Sequence, residues 1–371
     1  MYPLPNVLNK LEDINNMKQD ISNALVNQGQ NMTNVLFRDY PDRVDDLKCS
    51  LTYFRFKNID FPTLHSIEKA TSIFNFSLFT STSLMFAGCN VPETVPNFDT
   101  SNVEDMSYMF QNCKSIKYVP DFDTSNVKYM DGMFSNCSNL VNVPNFNIGK
   151  LSEMSHMFAD CTNLVNIPDF DTSNIINISS MFFNCTSLID IPRFNYSVIS
   201  FADYAFANCK KLTEISNLEL NMAYEVSGMF SNCINLVNVT NLSIGKYTDR
   251  YDAIYAGQIF RGCTNLVNVI NLDIKPYSGY GMFSECYSLA NISEFDTSNM
   301  QDMSGMFSFC NNLSSDSIQN IINMCLNATN VFPYAKTLMI MDSASPLYQT
   351  IFDPSYYDNR LAELTDAGWR Y

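Results

Sequence analysis

The stretch MFQNCKSIKYVPDFDTSNVKYMDGMF, residues 109–134, decides the fold of this chain. It opens and closes on Met-Phe, and its second copy of the pair begins the same pattern again: Met133-Phe134, Cys137, Leu140, Val143-Pro144, Phe146. Read outward, cysteines fall at 89, 113, 137, 161, 185, 209, 233, 263, 286 and 310, at intervals of 24 broken only by one of 30 and one of 23. A Phe stands three residues before each of these cysteines, from Phe86 to Phe307. From Cys113 onward Leu or Ile follows at the third position, as in Ile116, Leu140 and Leu164. Up to the coil of Cys286, Val or Ile follows at the sixth, and Phe or Leu at the ninth. Columns of one apolar residue type mean that each repeat packs its copy on the copy before. A single repeat cannot bury its own apolar face, so the units stack as coils of a solenoid.

Within one coil, residues 140–143 read as a short strand ended by Pro144, which has no N–H to give to a ladder. Asp123-Thr-Ser-Asn126 reads as a turn, and Val127–Phe134 as one or two helical turns with Val127, Met130, Met133 and Phe134 inward. The recurring cysteines read as small buried hydrophobes with free thiols rather than disulfides. Zinc is disfavoured because no short-spaced Cys or His pair occurs. Asp99, Asp123, Asp171 and Asp296 recur with the coil. Asn147 breaks their series, so turn capping is preferred to calcium.

The pattern Met-Phe-x-x-Cys-x-x-Leu-x-x-Val-Pro-x-Phe-Asp-Thr-Ser-Asn resembles the BspA-like leucine-rich-repeat family over about residues 81–313. The resemblance implies an α/β fold: a right-handed solenoid of about ten 24-residue coils, each a short strand plus a short helical turn, with a strand-lined concave face. It also implies a surface adhesin or binding protein rather than an enzyme. Residues 49–80 then form a connector and N-terminal cap. Residues 314–371 form a C-terminal cap, with a helix over Ile318–Leu326 started by Ser314/Ser315, a last strand at Lys336–Met341, and a Leu361–Trp369 ending.

Residues 1–48 follow a different period. Val7, Ile14 and Ile21 share one heptad position, and Leu4, Leu11 and Leu25 another. This fits a short coiled coil or an amphipathic helix packed on its own chain. We expect an assembly module with Val7, Leu11, Ile14, Ile21 and Leu25 as its contact residues. Residues 14–44 also resemble a short module of bacteriophage tail and fibre proteins. That resemblance implies a virion protein that contacts other virion proteins through this module. It would present the solenoid to a host surface protein or glycan, with homo-oligomerisation left open. A bacterial cell-surface adhesin and an intracellular scaffold are the competing readings.

Composition narrows the function. Acidic residues number 38 against 22 basic, a net charge of −16, opposite in sign to a nucleic-acid binder. No apolar run approaches a membrane span, and the N-terminus lacks a basic segment followed by an apolar one. Membrane insertion and a classical secretory route are therefore not expected. Only two histidines are present, and no phosphate loop, His-Glu-x-x-His or Gly-x-Ser-x-Gly motif occurs. We expect no enzyme, no cofactor and no metal. His156 shares a coil column with Tyr108, Gly132, Ser180 and Gly228, which reads as a permissive, solvent-facing position.

Recognition is expected on the coils between Cys185 and Cys286, where Asp-Thr-Ser-Asn is abandoned and the 30-residue interval falls. The long coil carries Tyr247, Arg250, Tyr251 and Tyr255, and the next carries Tyr277 and Tyr280. Tyr and Arg suit interfaces because they combine large contact area with polar tips. The plainer reading is that these tyrosines only cover a widened coil. In that case the exposed strand positions Asn142, Asn166, Asn238 and Asn268 take over.

Overall fold

The columns become a physical stack. In a computed structural model of the chain, residues 76, 79–246, 253–333, 336 and 360–369 are described. The phenylalanines preceding the cysteines form one unbroken pile from Phe86 to Phe307. Ring centroids of successive coils lie 5.3–5.9 Å apart and the planes are tilted by no more than 14°. Every one of these rings is fully buried, as are the cysteines and the Leu column beside them. The eleven described cysteines are free and buried. From Cys113 onward each thiol of the column donates to the carbonyl of the Phe one coil back, at 3.0–3.2 Å. Burial pushes these thiols up, Cys233 to about 12, so they stay protonated and keep that donor.

Regular strand is confined to one part of the stack. Strands β1 (Glu214–Leu220), β2 (Asn238–Ile244), β3 (Asn268–Asp273) and β4 (Asn291–Ile292) form one parallel sheet in the order β1-β2-β3-β4. The register follows the repeat, with Ile215 opposite Val239 and Val239 opposite Val269. The strand expected at 140–143 does not form. The reason is the residue seven places after the cysteine. It is Pro96, Pro120, Pro144, Pro168 and Pro192 in the earlier coils, and Ser216, Thr240, Ile270 and Ser293 in the four that carry strands. Proline fixes φ near −65°, away from the extended value, and offers no N–H. The proline coils instead close a γ-turn, the Phe N–H bonding back to the Pro carbonyl at 2.9–3.0 Å in Phe122, Phe146, Phe170 and Phe194.

The helical turns expected at 127–134 are replaced by a run of hydrogen-bonded turns. Here alternate amides do different work. Met133, Ser135 and Cys137 donate three residues back, whereas Gly132, Phe134 and Asn136 donate to Ser155, Met157 and Ala159 of the next coil. A helix is impossible because two residues per run sit at positive φ: Gly132 at 57° and Asn136 at 60°, with their counterparts in every coil. The His156 column is therefore not permissive in backbone terms. Leu84, Tyr108, His156, Ser180, Tyr204 and Gln258 all hold φ of 53–59° there. His156 itself is exposed, as expected.

Glycine enters that column for a specific reason. A Cβ on Gly132 would lie 2.3 Å from the Tyr108 ring, and one on Gly228 2.3 Å from the Tyr204 ring, because each tyrosine folds over the next coil. Gly132→Ala should therefore cost about 1 kcal/mol for the positive φ and about as much again for the displaced ring. The second part should vanish in a Tyr108→Ala background, as read from chemical denaturation of the two single variants and the double.

The Asp-Thr-Ser-Asn turns bond within themselves and to neighbouring coils, the buried Thr124 hydroxyl alone among their threonines lacking a partner. Asp99 and Asp171 accept from the amide and hydroxyl of Ser101 and Ser173. Thr100 and Thr172 donate to carbonyls of the next coil, and Asn126 and Asn174 donate to carbonyls of the coil before. Asn147 and Asn195 make the same side-chain cap with a neutral amide, which explains how the carboxylate series is interrupted without loss of the turn. Among the described residues no cluster of metal-ligating side chains occurs.

The C-terminal cap contains the expected helix, α1 (Ser315–Asn327), capped by Ser314, whose hydroxyl accepts from the Ser317 amide. A short α2 (Arg360–Asp366) follows, and Leu364 and Trp369 join the core. The expected strand at Lys336–Met341 lies, apart from Lys336, outside the described residues. So does the helical N-terminal module, including Val7, Leu11, Ile14, Ile21 and Leu25. No described helix is long and apolar enough to cross a membrane.

Candidate functional site

Each coil presents two adjacent surface positions, nine and eight residues before its cysteine, flanked by buried positions on either side. Along the array these are Glu104-Asp105, Lys128-Tyr129, Ser152-Glu153, Ile176-Asn177, Ser200-Phe201, Tyr224-Glu225, Tyr277-Ser278 and Gln301-Asp302; in the Cys263 coil Ile254 is buried and Tyr255 alone is exposed. The second of each pair carries a parallel bridge to the next coil, from Glu153 through Asn177, Phe201, Glu225, Tyr255 and Ser278 to Asp302. Side chains here are held one coil apart and stand side by side on the outer surface.

Early in the array the two positions carry charge, as in the exposed Lys128–Glu104 pair at 2.8 Å. In four successive coils they carry aromatic rings instead. Phe201 meets Tyr224 edge-on at 5.0 Å, and Tyr255 meets Tyr277 edge-on at 5.7 Å. The Tyr255 amide donates to the Tyr224 carbonyl, joining the two pairs into one strip. Tyr277 is further fixed by its hydroxyl, which donates to Gln301. All four residues keep exposed surface, Tyr255 most.

Acidic side chains border the strip. The Asp203 carboxylate accepts from the Ser227 amide at 2.8 Å, and its burial raises its pKa above the ordinary carboxylate value. Glu225 is raised as well, first by burial and then by the charge of Asp203. Ionisation of each is less favourable in the folded than in the unfolded state, so it opposes folding at neutral pH. Their contribution is favourable below the unfolded carboxylate pKa and is lost as pH rises through the folded values. Asp203→Asn should therefore leave the protein at least as stable as wild type at pH 7. That difference should shrink as pH falls through the mildly acidic range, in thermal melts recorded from pH 7 to pH 4.

The structure brings together part of the residue set expected from sequence. Tyr255 and Tyr277 touch. Tyr280 is exposed on the following turn run, its carbonyl accepting from Gln258, and makes no ring contact with either. Tyr247, Arg250 and Tyr251 lie outside the described residues. Phe201 and Tyr224 were missed, although they occupy the same two surface columns and a column-by-column alignment of the coils would have exposed them. The alternative asparagines divide: Asn142 and Asn166 are exposed, whereas Asn238 and Asn268 belong to a hydrogen-bonded ladder that ends at Asn291.

Comparison with known proteins adds a family and no activity. A family model described as "Mycoplasma protein of unknown function, DUF285" matches residues 55–166, 80–188, 139–244 and 256–341. No curated protein matches the chain. Among solved structures, a leucine-rich-repeat protein of T. pallidum is 19% identical over 56% of this chain and 81% of that one, with a TM-score of 0.34. A leucine-rich-repeat protein of Bacteroides ovatus is 17% identical over 60% of this chain and 69% of that one, with a TM-score of 0.22.

Proposed function

The chain belongs to the DUF285 family, and from that premise we propose that it is a non-catalytic repeat scaffold that binds another protein. The observation that carries the reading is the strip Phe201-Tyr224-Tyr255-Tyr277. Four rings on four consecutive coils give a rigid apolar surface with polar tips, the composition found at interface centres. A stacked array suits this role because each coil fixes the spacing of its neighbour's side chains. The bordering carboxylates Asp203 and Glu225 favour a partner with basic groups beside its apolar contact. The test compares wild type with a Tyr224→Ala/Tyr255→Ala variant whose melting curve is unchanged. Recovery of a partner protein from host-cell extract on the immobilised chain should fall at least ten-fold. Equal recovery by the two proteins would remove the strip from the reading.

For the location of this scaffold we keep the finer reading of a bacteriophage virion protein, docked to the particle by residues 1–48 and facing a host surface protein or glycan. The resemblance of residues 14–44 to tail and fibre modules supports it. Deleting residues 1–48 should leave a folded array that no longer joins particles. Normal incorporation of the truncated chain, or a chain found on the bacterial surface or free inside the cell, would sink it.

A further inference from the structure

The stack is continuous on its Phe side but opens on its strand side at one place. Four residues after each cysteine, an amide donates to the matching carbonyl of the coil before. The rungs are Lys117 to Glu93, Val141 to Lys117, Val165 to Val141, Val237 to Thr213, Val267 to Val237, Ala290 to Val267 and Ser314 to Ala290, at 2.8–3.4 Å. Two rungs are missing among the described residues: Ile189 to Val165 and Thr213 to Ile189. Ile189, the residue shared by both, is 42% exposed, whereas Val141, Val165, Val237 and Val267 at the same position are half-buried.

The gap has a local cause. The coil of Cys185 is the last to carry proline seven places after its cysteine, and the next is the first to carry a strand. The Pro192 carbonyl is turned to its own loop, where it accepts from the Phe194 amide and the Tyr196 hydroxyl, both at 2.9 Å. It gives nothing to β1. No hydrogen bond joins Ile189–Ser197 to Thr213–Glu219 among the described residues. Between them lies an open cleft of about 630 Å³, lined by Asp190–Ser197 on one side and Glu214–Glu219 on the other.

The two edges of the sheet are treated differently. At the β4 edge, helix α1 supplies substitutes. Ser317 accepts from the Ile292 amide and donates to the Ala290 carbonyl, and Asn320 donates to the Ile292 carbonyl. The β1 edge has no such cover. One asparagine ladder also ends at it. Asn271 donates to Asn241 and Asn241 to Asn217, each at 2.9 Å, whereas the matching position one coil earlier is Arg193. An uncovered strand edge is a template for another strand.

We propose that the cleft between the Cys185 coil and β1 takes an extended, basic segment of a partner protein, which adds as a strand to the β1 edge. The alternation of the sheet gives the hydrogen bonding. Amides facing the preceding coil at Glu214 and Ser216, the counterparts of Asn291 and Ser293 that donate to Val267 and Val269 one coil back, would donate to alternate carbonyls of the incoming segment. The charges give the sign: Asp190, Glu214 and Glu219 line the cleft against the single cation Arg193, in a chain of net charge −16. That balance disfavours a second copy of this chain and favours Lys or Arg on the occupant. The cleft and the aromatic strip are separate surfaces, so either stands without the other.

The probe is a fluorescent, end-blocked peptide Lys-Val-Lys-Val-Lys-Val-Lys, titrated into the full-length protein. Two further peptides carry N-methyl groups on alternate amides, one in each of the two possible phases. We expect saturable binding that drops at least ten-fold in one or both methylated phases. We also expect several-fold weaker binding to a Glu214→Gln/Glu219→Gln variant of unchanged melting temperature. Methylation without effect in either phase would mean that charge alone attracts the peptide, and would overturn the proposal. So would absence of saturable binding, whether because a segment of the same chain or a second copy already fills the cleft; sedimentation would tell these apart.

Discussion

Replacing Phe158 by Ala should cost about 3–5 kcal/mol and split one unfolding transition into two. Phe158 is fully buried, and its ring lies 5.9 Å from Phe134 and 5.7 Å from Phe182. Removing it leaves a ring-sized void in the middle of the pile and two neighbours that lose a face each. In a stack whose coils touch only their neighbours, total stability is a sum of coil terms and interface terms. Weakening two adjacent interfaces therefore uncouples the coils before Phe158 from those after it. Denaturant melts followed by circular dichroism, with hydrogen exchange to locate the break, check both parts. Phe158→Leu should recover most of the loss. A drop below about 1 kcal/mol, with one sharp transition kept, would show that the Phe pile does not carry cooperativity.

The second large effect is expected at the C-terminal end of the stack, from a polar residue. Ser317 is buried, and its hydroxyl joins α1 to the sheet edge by accepting from the Ile292 amide at 3.0 Å and donating to the Ala290 carbonyl at 2.9 Å. Ser317→Ala leaves the Ile292 amide buried without a partner, whereas the Ala290 carbonyl still accepts from the Ser314 amide at 2.9 Å. At about 1–3 kcal/mol for an unsatisfied buried group, the loss should be about 1–3 kcal/mol. The Ile292 amide should also lose its exchange protection, whereas Ser317→Thr keeps the hydroxyl and should keep both. Unchanged protection at Ile292 in Ser317→Ala would mean that another group covers this edge.

These two positions differ in how readable they were. The Phe pile, the Leu and Val columns and the free buried cysteines were legible from spacing, because a residue repeated every 24 positions can only be meeting its own copies. The helix over 315–327 was legible from Ser314 and the apolar positions behind it. Its bonds to Ile292 and Ala290 were not, because they join residues 25 and 27 positions apart that share no pattern. The aromatic strip was half legible. Tyr255 and Tyr277 stood out beside an insertion, whereas Phe201 and Tyr224 sit in surface columns where residue type varies from coil to coil.

What the sequence by itself determined is the stacking: which residues are inward, which side chain meets which, and where the Asp-Thr-Ser-Asn turns fall. Apolar burial in a repeat depends on composition at each position, and composition is what a sequence states. What only the tertiary structure decided is backbone conformation within the coil. The turn run at 127–134 carries an inward apolar spacing that a helix would share, and only the inter-coil hydrogen bonds favour alternating turns with Gly132 and Asn136 at positive φ. The same holds for the cleft. Pro192 is visible in the sequence. Its consequence, a strand unpaired on one side, exists only because the following coil is extended and the preceding one is not.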